Sequence, residues 1–256
     1  MAGGRRQQTL LATKLGYLPH VTDFRSSQAL TAQLDNNLRL LQTDAVDILQ
    51  IHEADLACWW TDDPADPRRI DTDHQYDFAA APVIQVLEQA KTRGHCRYIG
   101  ITGNSAAAMT HVLKGVTVDS LLLAFNYDLL HRDGLTEALP LARSRGMARI
   151  IGGVFQCGRL ANLDPQYAND PPQWMPPEMI GPYLRLCNIH RQCQLSPVEL
   201  TLRFLLADQT INVIVVGATT PQEIEASVGA VAKGPLPADL HRELDRLITP
   251  GPAPRH

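Results

Sequence analysis

No stretch of about 18 consecutive apolar residues occurs in the chain, so the sequence offers no membrane-spanning helix. Residues 1–8 are polar and lack the apolar segment of a secretory leader. Lysine and arginine number 23 against 27 acidic residues, and the net charge of −4 carries no basic stripe to attract nucleic acid. The five cysteines (Cys58, Cys96, Cys157, Cys187 and Cys193) are odd in number and contain no C-x-x-C pair. A disulfide framework and a metal site are therefore not expected, and the setting expected is a reducing cytoplasm with buried, inert thiols. No G-x-G-x-x-G turn follows any apolar run, so the usual mark of an open dinucleotide-binding sheet is missing.

What is present is an alternation. Short apolar runs at 9–13, 45–51, 97–102, 118–125, 147–154 and 212–216 read as strands. Amphipathic stretches at 26–42, 82–93, 105–113, 135–144, 178–194, 197–207, 221–231 and 237–247 read as helices. Strands rich in β-branched residues that alternate with helices predict a parallel sheet covered by helices. The 256 residues are enough for one such barrel domain, expected over 1–249 with a frayed tail at 250–256. A closed barrel needs eight strands, at roughly 30 residues per strand-helix unit. The expected fold is thus an α/β, TIM-type (β/α)8 barrel, incomplete at its N-terminus by two units. Residues 53–81 and 156–177 interrupt the rhythm directly after strands, where a barrel places the long loops of its catalytic mouth.

Two polar residues close apolar strands. Lys14 ends the first in LATKLG, and His52 ends the second in DILQIH. Both are expected at the C-terminal mouth. Glu53 follows His52 and reads as a solvated loop carboxylate. Tyr17 and Tyr127 have no spacing that gives them a role.

The segment 11–52 resembles the third and fourth strands of aldo/keto reductases. It carries TKLG, the leucine-rich ALTAQLDNNLRLLQ and DAVDILQIH in the family's order. RYIGITGN (97–104) and VIVVGATTPQEIEAS (213–227) resemble later strands of that family. LLAFNYDLL (122–130) and GGVFQCGRLA (152–161) are most similar to its aldose-oxidising branch, such as fucose and galactose dehydrogenases. The resemblance implies hydride transfer between NADP or NAD and a small-molecule carbonyl or sugar. It implies a catalytic lysine at Lys14 and a substrate-orienting histidine at His52. It implies nicotinamide contacts at Thr102 and Asn104, and cofactor phosphate contacts at Gly217, Thr219 and Thr220. The last assignment agrees with backbone N–H groups opening the helix near 221. The family's aspartate and tyrosine lie on units before the lysine strand, and no residue here matches them. The 256-residue chain alone is therefore expected to show weak reductase activity or none. Two other readings stand beside this one. A repurposed barrel could run lyase, dehydratase or isomerase chemistry with His52 and Glu53 or Lys14. A non-catalytic subunit could form a homo-oligomer through exposed barrel edges.

Overall fold

Leu30, Leu34 and Leu38 repeat at helical spacing and are all buried in one helix, α1 (Ser27–Leu41). Ser26 caps it by accepting the Ala29 N–H at 3.2 Å, and Gln42 ends it in the left-handed region. Each buried leucine contributes roughly 1.5–3 kcal/mol. The same logic builds the rest of the chain in the computed structural model, which describes residues 6–62, 68–173 and 175–248. The expected tail at 250–256 lies outside the described residues. The chain divides into two compact units, Met1–Leu123 with Glu137–Ala148 and Ala124–Thr136 with Arg149–His256.

The first unit holds β1 (Ala12–Leu15), β2 (Val46–Ile51), β3 (Cys96–Gly103) and β4 (Ser120–Ala124, whose last residue belongs to the second unit). Each pairs in parallel with the next. The crossovers are α1, α2 (Pro82–Thr92) and α3 (Ala106–Gly115), and α4 (Ala138–Ser144) packs on α3. Pro82 sits in the first turn of α2, where its missing N–H costs nothing, and Ser105 caps α3. At mid-sheet the buried Gln50 donates to the Ser120 hydroxyl at 3.3 Å. Gly100 lies where they meet, and a Cβ there would fall 2.1 Å from Ser120 Oγ.

The first strand is displaced from the expected 9–13 and takes in Lys14. The buried Asp47 is the cause. Its carboxylate accepts the Leu11 N–H at 2.8 Å, Arg6 at 2.8 Å and Arg97 at 3.1 Å. The clamp turns the Leu11 N–H to a side chain while its carbonyl still accepts the Asp47 and Ile48 N–H groups, and the ladder of paired residues starts at Ala12–Ile48, with Leu10 72% exposed.

The second unit holds β5 (Ala148–Gly152, whose first residue belongs to the first unit) and β6 (Val213–Ile214), paired in parallel. The strand expected at 212–216 is short. Its ladder is flanked by bonds between Asn212 and Arg149 at one end and from Val215 to Ile151 at the other, and Val213 and Val215 remain 43% and 46% exposed. Helices α5 (Pro177–Cys193), α6 (Pro197–Leu205), α7 (Pro221–Ala232) and α8 (Ala238–Asp245) complete it. Glu199 on α6 bonds Arg203 and Lys233, each at 2.7 Å, and so ties α6 to the end of α7. Among the described residues no helix is long and apolar enough to cross a membrane, and no group of three or more side chains could hold a metal ion.

Candidate active site

Three adjacent strands deliver polar residues to their C-terminal ends in the first unit. Lys14 is the third residue of β1 and pairs with Gln50, one step from the end of the ladder. His52 follows the last residue of β2, and Thr102 and Asn104 flank Gly103, the last of β3. Parallel strands lie about 4.8 Å apart, so these residues converge on one rim.

The rim is held by side chains from elsewhere. Asn37 on α1 donates to the Lys14 carbonyl at 3.0 Å. Gln33, one turn earlier, clamps Gly16 from both sides, accepting its N–H at 3.0 Å and donating to its carbonyl at 2.5 Å. Gly16 has φ +146°, and a Cβ there would lie 2.8 Å from the Cβ of His52, so only glycine fits. Tyr17 then takes a left-handed φ of +53°, and its ring meets the His52 imidazole. The His52 backbone is pinned by its own N–H to Leu15 at 2.8 Å and by the Trp59 indole N–H to its carbonyl at 3.0 Å.

These surroundings set the electrostatics. Burial lowers the Lys14 pKa below the ordinary lysine value. Burial also lowers that of His52, Glu53 opposes the change, and the charge of Lys14 adds to it. The imidazole is therefore neutral at neutral pH, with an N–H available to donate.

Glu53 is not the solvated loop carboxylate expected from sequence. It is half-buried in the left-handed region at φ +50°, its N–H donates to Thr102 Oγ at 3.2 Å, and its carboxylate accepts from Asn104 Nδ2 at 2.8 Å. The Asn104 N–H in turn donates to the fully buried Asp55 at 3.1 Å, which also pairs with Arg69. Asp55 Oδ1 has no hydrogen-bond partner among the described residues. The sequence offered Glu53 only as a solvated carboxylate or as an acid or base in a repurposed barrel, and gave Tyr17 no role, because the left-handed backbone of both residues does not show in local pattern. The glycine before Tyr17 was the available signal. Tyr127 belongs to the second unit and is structural: it is buried, its hydroxyl donates to Asp208 at 2.9 Å, and burial pushes its pKa up.

The second unit contains a mainly apolar cavity of about 760 Å³ lined by Phe125, Gly153, Cys157, Val215, Gly217 and Thr219, among others. Phe125 has φ +67° and packs on Gly153, where a Cβ would fall 2.5 Å from its ring. Gln156 pins the two walls by donating to the Phe125 carbonyl at 3.1 Å and to Asp128 Oδ2 at 2.6 Å. Cys157, expected to be buried, is exposed on this wall. Of the residues expected at cofactor phosphates, Gly217 and Thr219 line the cavity, while Thr220 caps α7 by accepting the Glu223 N–H at 3.3 Å.

A model of the aldo/keto reductase family matches residues 2–249. The chain is 27% identical over 233 residues to an L-galactose dehydrogenase of Arabidopsis thaliana, covering 89% of this chain and 65% of the relative. It is 24% identical over 225 residues to a D-threo-aldose 1-dehydrogenase of a Pseudomonas species, covering 86% and 61%. It therefore spans a little under two thirds of the length of these curated relatives. Among solved structures it is similar to the aldo-keto reductase AKR11C1 of Bacillus halodurans in its holo form. The TM-score is 0.67 at 25% identity, with 96% of this chain and 74% of that one covered.

Proposed function

The chain belongs to the aldo/keto reductase family, and from that premise we propose that it serves an oxidoreductase moving a hydride between NADP or NAD and an aldose or another small carbonyl compound. The observation that carries this is the placement of Lys14 and His52 at the C-terminal ends of neighbouring parallel strands, with the charge of one acting on the other. The aldose names of the relatives support the substrate class.

The cavity of the second unit fits part of a dinucleotide, since it joins an aromatic wall at Phe125 to the backbone at Gly217 and Thr219 before a helix start. Gly217, Thr219 and Thr220 would hold cofactor phosphates, and Thr102 and Asn104 the nicotinamide amide. The nicotinamide, when bound, supplies or accepts the hydride. His52, neutral through burial, donates a hydrogen bond to the substrate oxygen. Lys14 places positive charge where an oxyanion develops on the substrate. Glu53, fixed by Asn104, opposes the lowering that burial and Lys14 impose on the His52 pKa. A cytoplasmic setting suits five cysteines that contain no C-x-x-C pair.

A turnover assay on the protein purified from its source tests this, with aldoses and aldehydes offered alongside both nicotinamide cofactors. Substrate oxidation or reduction coupled to the cofactor, and lost in His52→Ala, is the expected result. No coupling with any member of the panel would overturn the proposal. The fixed Glu53 beside His52 favours one other reading, proton-transfer chemistry without hydride. Product formed with no nicotinamide present would establish it. The apolar side chains left exposed at Val213, Val215, Ile224 and Val228 are the surface on which a second copy would associate, and light scattering reads that directly.

A further inference from the structure

We infer that Asp55 is a positioning residue of the candidate active site: paired with Arg69, it fixes the backbone of Asn104, whose side chain holds the Glu53 carboxylate within reach of His52. The placement is read from the fold, and its weight in catalysis rests on the role proposed for His52.

For the fold alone Asp55 is a poor choice. It is fully buried, and its Oδ1 has no hydrogen-bond partner among the described residues. Burying a carboxylate carries a large desolvation cost that one ion pair repays only in part, and an apolar side chain of similar size is often no worse. The chain nonetheless makes room for it. A Cβ at Gly103 would meet the Met109 sulfur and stand 3.1 Å from Asp55 Oδ1, so the bare strand end lets the carboxylate lie against it. Arg69 is delivered by backbone bonds around it, from the Ile70 N–H to the Asp55 carbonyl at 2.9 Å and from the Ala57 N–H to the Arg68 carbonyl at 2.6 Å.

What the carboxylate secures is the segment beside His52. The β3 ladder ends at Gly103, and the next N–H, that of Asn104, donates to Asp55 Oδ2 at 3.1 Å. With its backbone held, Asn104 donates from Nδ2 to Glu53 Oε1 at 2.8 Å. Two more bonds run back to β3, from the Glu53 N–H to Thr102 Oγ at 3.2 Å and from the Ala54 N–H to the Thr102 carbonyl at 2.7 Å. Together these bonds sew residues 53–55 to 102–104 and keep Glu53 in its left-handed backbone. The groups that face His52 are Lys14 from β1, the Tyr17 ring and Glu53. Asp55 is not among the charges that act on the imidazole, so its influence runs through Glu53.

NMR titration of His52 in the intact chain tests the relay. Glu53→Gln removes the charge that raises the His52 pKa, so the titration midpoint should fall, and that fall sets the scale. Asp55→Leu should produce a fall of the same size with Glu53 still present, because Asn104 loses its acceptor. Asn104→Ala cuts the next link and should do the same, with thermal melts confirming that each variant is folded. Asp55→Asn keeps an oxygen for the Asn104 N–H and should leave the midpoint at its wild-type position. Asp55→Leu added to Glu53→Gln should move it no further, as expected of two residues acting through one contact. A midpoint that Asp55→Leu leaves unmoved or raises would overturn the inference. So would a fall in Asp55→Asn as large as in Asp55→Leu, or a further fall in the double variant. The titration needs no turnover. A relay that behaves as expected in a protein with no nicotinamide-coupled activity would leave the inference standing while the oxidoreductase reading fell.

Discussion

The phenol ring of Tyr17 lies against the imidazole of His52, with ring centres 4.4 Å apart and planes tilted by 54°. The contact is made from one side, since Tyr17 remains 82% exposed. It helps keep water from an imidazole whose pKa burial already lowers. Tyr17→Ala is therefore expected to raise the His52 pKa toward its ordinary value, while Tyr17→Phe keeps the ring and leaves it in place. NMR titration of the His52 ring protons separates the two. Equal shifts in both variants would show that the hydroxyl, not the ring, sets the environment.

Lys14→Met should act on chemistry and on titration together. Removing the cation lifts one of the influences that hold the His52 pKa down, so that pKa should rise. Turnover in the source protein should fall by roughly 10²–10⁴, the usual scale of acid–base assistance. An unchanged rate with a normal melting curve would remove Lys14 from the mechanism.

Gly16→Ala meets two obstacles, a left-handed backbone and a Cβ placed 2.8 Å from that of His52. A loss of about 1–3 kcal/mol in denaturant unfolding is expected. Loss of the Tyr17–His52 contact should accompany it, visible as a changed His52 titration.

Asp47 should matter for stability and not for catalysis, because its clamp lies at the opposite end of β2 from His52. Its carboxyl sits below the ordinary aspartate range, chiefly through the Leu11 N–H, with Arg6 and Arg97 adding to this against the cost of burial. Folding lowers this pKa, so the stabilisation is complete above the ordinary value of 3.8 and is lost as pH falls through the lower folded value. Asp47→Asn should cost about 1–3 kcal/mol at neutral pH, with a gap that closes in acid. Urea melts across that range would show it, and a gap constant with pH would refute the assignment.

The family, the α/β alternation and the strand-end positions of Lys14 and His52 were legible in the sequence because they rest on local pattern. The helices expected at 26–42, 105–113 and 221–231 form, with Leu30, Leu34 and Leu38 buried in the first and Ser26, Ser105 and Thr220 as their caps. The first strand was placed three residues early because TLLAT is apolar, and only the fold shows that Asp47 takes the Leu11 N–H. The short β6 was read too long for a related reason, since apolar β-branched residues look paired whether or not a neighbour covers them. The surroundings of Glu53 and Tyr17 were not legible because their backbone is set by partners distant in sequence. Glu53 answers to Asn104, 51 residues away, and Gly16 to Gln33, 17 away.

The Gln33 clamp has an evolutionary consequence. Gln33 precedes Leu34, whose burial fixes the rotational phase of α1, so the amide is aimed by the hydrophobic core and not by the loop it holds. Residues 21–25 are tied separately, through Arg25 donating to the Trp59 carbonyl at 3.0 Å and Phe24 packing on the Trp59 ring. Repacking at Leu34, far from any substrate, would turn Gln33 away and release the rim. Selection on the mouth of this protein should be read in the interior of its first helix as much as at the residues that meet a ligand.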